Sequence, residues 1–337
     1  MRHKKTFVAV FLILLSAAVI LLTGLYVKKS GSAESSKAEA DSRLEDGSGD
    51  QLSVVTSFYP MYIAAMNLTD GDDHIALSNL SEPQTGCLHD YQLTPEDMEL
   101  LSEADVFIVN GGGIESFLSD VADAYPDLVI LDTGKEIDPI GDNSHFWMSI
   151  PRYRQQVLAI RDGLSEELSK RGASEEELSD LTENYEAYDR ALDALCREEA
   201  VIRASCGGRS VILFHEAYEY LADDLGLSEA YLMDLDEERQ ISAGEISDVE
   251  SLIQSGSVHL IFAEALYGSE MGEMIRSETG ADVLYLDPLV RSDPAGDGAG
   301  AAYDKNAYLD RMQSNLTMIA DAFGVDLSGT GNTDVSE

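Results

Sequence analysis

The chain has 337 residues, long enough for two ordinary domains, and its 44% apolar content permits sizeable cores. Lys and Arg number 22 against 63 Asp and Glu, a formal net charge of −41. That balance excludes nucleic acid as a partner and disfavours anionic membrane surfaces. It attracts cations weakly and without selectivity, so it reads as a solubility adaptation; surface carboxylates alone do not make a metal site.

At the N-terminus, Arg2, Lys4 and Lys5 precede an uncharged run, TFVAVFLILLSAAVILLTGLYV, from Thr6 to Val27. A membrane-spanning helix needs about 20 apolar residues. The core of a cleaved signal usually has only ~7–15. Leu22-Thr23-Gly24 resembles the start of a bacterial lipobox, but Leu25 stands where that motif needs its lipidated cysteine. Residues 1–29 are therefore read as an uncleaved anchor, with cleavage after a small residue such as Ala33 as the alternative. Either way the basic N-terminus points to export, with the rest of the chain on the extracellular face of the cell membrane or secreted. Residues 30–50 are polar and rich in Ser, Gly, Ala and acid, and lack the apolar side chains that would offset ordering entropy. They are expected to form a flexible acidic tether, as is a tail over 328–337.

Strand-like segments follow at Leu52–Thr56, His74–Leu80, Val106–Asn110 and Leu128–Asp132, and then at Ser210–Phe214, Ala230–Met233, Val258–Ala263 and Val283–Leu286. Each is short, apolar and rich in β-branched or aromatic residues, as buried parallel strands are. Amphipathic segments lie between many of them. Pro95-Glu-Asp opens a helix, and Glu115–Ala124 and Glu245–Ile253 show helical spacing. Pro151 to Ala204 holds no strand candidate, and Ser174 with Glu177 predicts a capping box at the start of a helix running to about Arg203. At 1.5 Å per residue that helix would be roughly 45 Å long. The expected fold is α/β: two lobes, each with a mostly parallel sheet flanked by helices, joined by a long connecting helix. The boundaries are 51–172 for the first lobe, 173–205 for the helix and 206–327 for the second lobe.

Three cysteines, Cys87, Cys196 and Cys206, cannot all pair within one chain, and no C-x-x-C occurs. Whether Cys196 and Cys206 pair is open at this level. Among six histidines, His3 lies in the N-terminal segment, and His74 and His259 begin or enter strands and read as structural. The other three share a placement. His89 and His145 fall in loops after strands of the first set; His215 directly follows a strand of the second, as does Asp287. Open α/β sheets bind ligands outside the carboxyl ends of their strands. If the lobes face each other, all four residues converge in one cleft. Three imidazoles and a carboxylate suit a tetrahedral zinc sphere, while oxygen-rich sites suit manganese. Cys87 and Glu264 are two further candidates by position. Cys87 reads as a small buried residue, and Glu264, after a strand, as a carboxylate that could orient a histidine.

The stretch GCLHDYQLTPEDMELLSEADVFIVNGGGIESFL (Gly86–Leu118) resembles the first-lobe signature of the zinc and manganese receptors of bacterial ABC importers. TSFYPMYIAA (Thr56–Ala65), SHFWMS (Ser144–Ser149), FHEAYEYLADDLGL (Phe214–Leu227), ETGADVLYLDPL (Glu278–Leu289) and YLDRMQSNL (Tyr308–Leu316) agree in order, so the resemblance covers about residues 52–325. It implies metal ligands at His89, His145, His215 and Asp287, the residues that strand-end placement selects. It also implies Zn²⁺ as cargo with Mn²⁺ as the alternative, and as partners an ABC permease and its separate ATPase subunit. Manganese receptors often carry Glu where this chain has His215. Asp132–Asn143 is short and has no histidine, unlike the His-rich loop of some zinc members. Asn143-Ser144 replaces the usual Asp-Pro and is expected to alter loop stiffness but not ligation.

The reading is a monomeric binding protein, not an enzyme. Its histidines must be neutral to bind, so affinity should fall as pH drops through about 6.5. A zinc hydrolase is the weaker alternative, for want of H-E-x-x-H and of a clear general base; Glu216, next to His215, is poorly placed for that role. Surface adhesion is a third reading with no independent support in the sequence. No Walker motif is present, so transport would take its energy from a partner.

Overall fold

The computed structural model describes residues 51–81, 88, 91–235, 241–291 and 304–329. The expected anchor (1–29), the tether (30–50), Cys87, His89 and most of the tail lie outside the described residues. Among the described residues no helix is long and apolar enough to cross a membrane. From Leu52 onward the chain forms one compact unit.

Its first half supplies β1 (Leu52–Thr56), α1 (Tyr59–Leu68), β2 (Ile75–Asn79), α2 (Pro95–Ser102), β3 (Val106–Val109), α3 (Leu118–Ala124) and β4 (Val129–Asp132). Two long helices follow, α4 (Ile150–Lys170) and α5 (Glu175–Cys206). The second half supplies β5 (Ser210–Leu213), α6 (Tyr218–Asp224), β6 (Ser228–Leu232), α7 (Ala243–Gln254), β7 (Leu260–Ala263), α8 (Ala265–Thr279), β8 (Asp282–Tyr285) and α9 (Ala307–Phe323). All eight expected strands form, within two residues of their expected ends. They build two four-stranded sheets, ordered β2-β1-β3-β4 and β6-β5-β7-β8, with every pairing parallel. The two sheets therefore repeat one topology. In each, the chain crosses from one side of the first strand to the other, leaving a crevice beyond the carboxyl ends of β1 and β3 in one and of β5 and β7 in the other.

Helix starts follow local chemistry. Thr94 and Asp97 close a capping box on α2, with Pro95 in the first turn; Ser174 and Glu177 do so on α5, and Ser242 and Glu245 on α7. Helix α3 begins at Leu118 rather than Glu115, because the Glu115 carboxylate is drawn into the loop before it. Cys196 and Cys206 both lie on α5, ten positions apart. At 1.5 Å per residue that separation is about 15 Å, beyond the ~7 Å reach of a disulfide, so both thiols are unbridged. His74 and His259 are exposed; each carbonyl accepts from the neighbouring strand's residue, Leu52 and Asp282 respectively, and His74 Nε2 lies 3.6 Å from Glu177 Oε1.

One hydrophobic cluster holds inner residues of both sheets, among them Val54, Ile108, Leu213 and Phe262, together with buried residues of α4, α5 and α9. Helix α5 spans 32 residues, about 48 Å, and packs on α4, α1 and α9. Arg154 on α4 grips Asp189 on α5 with two hydrogen bonds of 2.7 and 2.8 Å. The ring of Tyr153 stacks on Tyr308 of α9 at 3.8 Å between centroids. A core running unbroken under both sheets resists hinge opening more than two separate cores would.

The loop after β3, Asn110-Gly-Gly-Gly, folds around the buried carboxylate of Glu115. Ser57 Oγ and the amides of Asn110 and Gly111 donate to it at 2.8, 2.7 and 3.1 Å. Burial pushes its pKa up to about 7 in spite of those donors. Gly111 and Gly112 have φ of +80° and +67°, and a Cβ on Gly112 would lie 2.6 Å from the Phe146 ring. The glycines let this loop press against the turn that carries His145.

Two further carboxyls have raised pKa values, buried Glu199 on α5 and partly buried Asp224 on α6. Burial raises Glu199 to about 8, with the charge of Asp224 adding and Arg203 opposing. Burial raises Asp224 to about 6, where Ser149, Arg152 and Arg203 oppose and Asp223 adds. Each of the three binds protons better folded than unfolded. Their stabilising contribution is complete below the ordinary carboxyl range and is lost as pH rises through about 6, 7 and 8. The melting temperature should thus fall from the ordinary carboxyl range up to about pH 8 and level off above it. Glu199→Gln should flatten the upper part of that fall and melt above the parent at pH 9, by roughly 2–4 °C for each kcal/mol recovered; a parallel fall in both proteins would refute the assignment. Gly112→Ala should cost about 1–3 kcal/mol in urea unfolding, from the left-handed backbone and the clash with Phe146 together.

Candidate metal centre

His145 opens a 3₁₀ turn, Phe146–Met148, between β4 and α4, and it is fully buried. His215 follows β5 and is 8% exposed. The two rings come from different sheets and meet with centroids 5.2 Å apart at an interplanar angle of 78°.

Asn143 decides how His145 is held. Its Nδ2 donates to the Glu216 carbonyl at 2.8 Å and to Glu219 Oε2 at 2.7 Å. Those two acceptors fix the orientation of the amide, which leaves Oδ1 as its acceptor. Oδ1 receives the His145 backbone N–H at 2.9 Å and faces His145 Nδ1 at 2.8 Å. A carbonyl oxygen cannot donate, so the imidazole proton sits on Nδ1 and the lone pair on Nε2. Glu216 Oε1 stands 3.5 Å from the same Nδ1. On the other histidine, Nδ1 faces Glu264 Oε2 at 3.6 Å; Glu264 is 8% exposed and directly follows β7, as the sequence placed it. A carboxylate on that side favours a proton on Nδ1 and directs the second nitrogen away from it.

The loop of Asp287 is tied to both histidine segments. Trp147 Nε1, two residues after His145, donates to the Pro288 carbonyl at 2.9 Å. Tyr218, three residues after His215, donates its hydroxyl to the Leu286 carbonyl at 2.7 Å. Helix α9 holds the backbone of Asp287 itself: its N–H donates to Asn315 Oδ1 and its carbonyl accepts from Asn315 Nδ2, both at 2.8 Å. The carboxylate accepts from the Leu289 amide at 2.7 Å on Oδ1, and Arg311 Nη1 lies 3.4 Å from Oδ2. The buried Leu289 has φ of +64°, a strained conformation in which the side chain of Asp287 holds the turn.

The structure thus brings His145 and His215 into contact and ties the Asp287 segment to both, while Asp287's carboxylate faces Arg311. Among the described residues no group of three or more His, Cys, Asp or Glu side chains is close enough to hold a metal ion. Leu88 is buried in the shared core, and its carbonyl accepts from the Tyr91 amide at 3.1 Å; His89 lies outside the described residues. Trp147 and Tyr218 bind the backbone on either side of Asp287. Sequence reasoning missed three residues here. Asn143, expected to affect only loop stiffness, sets the protonation of a histidine. Glu216, discounted as a base, faces His145 from the other sheet, and Arg311 drew no notice at all. Only the Asn-x-His spacing carried a local signal, since an Asn side chain readily accepts from a backbone N–H two residues on.

Comparison with known proteins gives related sequences and related folds. The chain is 26% identical to the high-affinity zinc uptake system protein ZnuA of Bacillus subtilis over 330 residues, 90% of this chain and 96% of that one. It is 25% identical to the manganese-binding lipoprotein MntA of Halalkalibacterium halodurans over 293 residues, 83% and 90% of the two chains. The solved structure of the solute-binding protein FpvC of Pseudomonas aeruginosa in complex with Mn²⁺ shares the fold, with a TM-score of 0.68, 22% identity and coverage of 81% of this chain and 98% of that one. Residues 54–322 match the profile of the family described as zinc-uptake complex component A periplasmic, ZnuA, and the chain belongs to that family.

Proposed function

We propose that this protein is an extracytoplasmic receptor that captures Zn²⁺ between its two sheets and delivers it to an ABC permease driven by a separate ATPase subunit. Its ligands are His89, His145, His215 and Asp287. The observation that carries the reading is the contact of His145 and His215 across the two halves. Each Nδ1 faces an oxygen acceptor, the arrangement that orients an imidazole to present its other nitrogen to an ion. Zinc takes imidazole nitrogen readily and accepts four ligands in a tetrahedron. Residues 51–172 and 206–327 act as the two lobes with 173–205 as the connector, and residues 1–29 hold the protein at the outer face of the membrane.

A broader divalent-metal receptor is the second reading. The zinc-named and manganese-named relatives are almost equally similar to this chain, at 26% and 25% identity.

Calorimetric titration of the metal-free full chain in detergent, with Zn²⁺ and with Mn²⁺ in parallel, separates the readings. One tight zinc site, weak manganese binding and loss of the site in His215→Ala are expected. Comparable manganese affinity would establish the broader receptor. Weak multiple binding indifferent to His215→Ala would mean the acidic surface alone was collecting ions. Asn143→Ala should lower zinc affinity about 10–100-fold, because His145 loses the acceptor that holds its Nδ1 proton; an unchanged affinity would show that the ring is oriented by other contacts.

A further inference from the structure

We propose that Arg311 is a built-in counter-cation that competes with the cargo ion for Asp287, and so sets how tightly the receptor holds the ion and how readily it lets go. The inference rests on the reading of Asp287 as a ligand.

Both oxygens of Asp287 are engaged. Oδ1 accepts from the Leu289 amide at 2.7 Å, and Oδ2 faces Arg311 Nη1 at 3.4 Å. Arg311 and Asn315 are four residues apart on α9 and therefore lie on one face of it. Asn315 grips the backbone of Asp287 while Arg311 faces its carboxylate. The arginine side chain is 14% exposed and is secured by more than this one contact. Its Nη1 also donates to the Arg291 carbonyl, and its guanidinium lies 5.7 Å from the ring centroid of Tyr59, on α1 of the first half. Loss of Asp287 to an incoming ion would leave those two partners in place, so the guanidinium can yield the carboxylate without becoming an isolated buried charge.

The sign of the effect follows from charge. A guanidinium stays positive at any working pH. A divalent ion on Asp287 would sit within a few ångströms of it, in a partly buried site where screening is weak. Arg311 therefore stabilises the carboxylate when no ion is bound and repels the ion when one is. A merely supporting arginine, one that aims Asp287 at the ion, would have the opposite effect on affinity when removed. The overall charge of −41 sharpens the point. A chain this acidic attracts divalent ions without regard to place, and a fixed cation at the ligand carboxylate offsets that attraction where release must occur.

The test uses the full chain, titrated with Zn²⁺ as wild type, Arg311→Gln and Arg311→Lys, with the dissociation rate followed after addition of excess chelator and a melting curve for each protein. Arg311→Gln is expected to bind about tenfold more tightly, equivalent to about 1.4 kcal/mol, and to release more slowly. Arg311→Lys, which restores the charge, is expected to return most of the way to wild type. Equal or weaker binding by an Arg311→Gln protein that melts as wild type would overturn the inference. Should the Gln variant fail to fold, Arg311→Met, which keeps the buried stem, replaces it under the same criteria. A wild-type chain without a tight site would instead sink the proposed function, and this inference with it.

Discussion

The side-chain amide of Asn143 is the joint on which the histidine pair depends. Its nitrogen reaches across to the Glu216 carbonyl and to Glu219 in the second half. Its oxygen holds both the backbone and the ring of His145 in the first. One amide thereby registers the two halves against each other and assigns the proton on a candidate ligand. Tyr220 reinforces the joint, donating its hydroxyl to the Asn143 carbonyl at 2.6 Å while accepting from the Ile140 amide at 3.1 Å. Because the amide is asymmetric, two acceptors at one end leave the other end a single role, and the ring tautomer follows from the protein's own hydrogen bonds.

Behind that joint stands a relay of buried polar groups from the crevice of the first sheet. Glu115 gathers the glycine loop, and Asn110 at the start of that loop donates to the Ser144 carbonyl at 2.9 Å, one residue before His145. Gln156 of α4 donates to Asn110 Oδ1 at 2.9 Å and to Thr133 Oγ1 at 3.0 Å. Each member is fixed by its neighbours, so a disturbance at the loop would reach the histidine turn through directional bonds in a weakly screened interior. In the second half His215 follows β5 directly and needs only the strand to place it.

Charge plays opposite parts at the surface and in the interior. The exposed excess of acid keeps the protein soluble and draws cations without choosing among them. Selection requires few groups, held in place and partly cut off from water. Glu264 and Glu216 turned toward the histidines, and Arg311 turned toward Asp287, are such groups.

Much of this protein was legible in its sequence. The eight strands, the capping box at Ser174, the helix start at Pro95, and the placement of His145, His215 and Asp287 beyond strand ends are consequences of local patterns. Apolar runs, proline in a first turn and a hydroxyl three residues before a carboxylate act over a few residues, and tertiary contacts did not override them. The family signature added the ligand set by position. Contacts between residues far apart in the chain were decided only by the tertiary structure. Asn143 pairs with Glu216, Trp147 with Pro288, and Arg311 with Asp287, at separations of 73, 141 and 24 positions. No short-range pattern encodes such pairs, because the packing of α4, α5 and α9 beneath both sheets is what brings them together. The strand ends indicated where a ligand would sit. Which atom of His145 carries its proton, and which cation faces Asp287, depended on how the two halves close on their shared core.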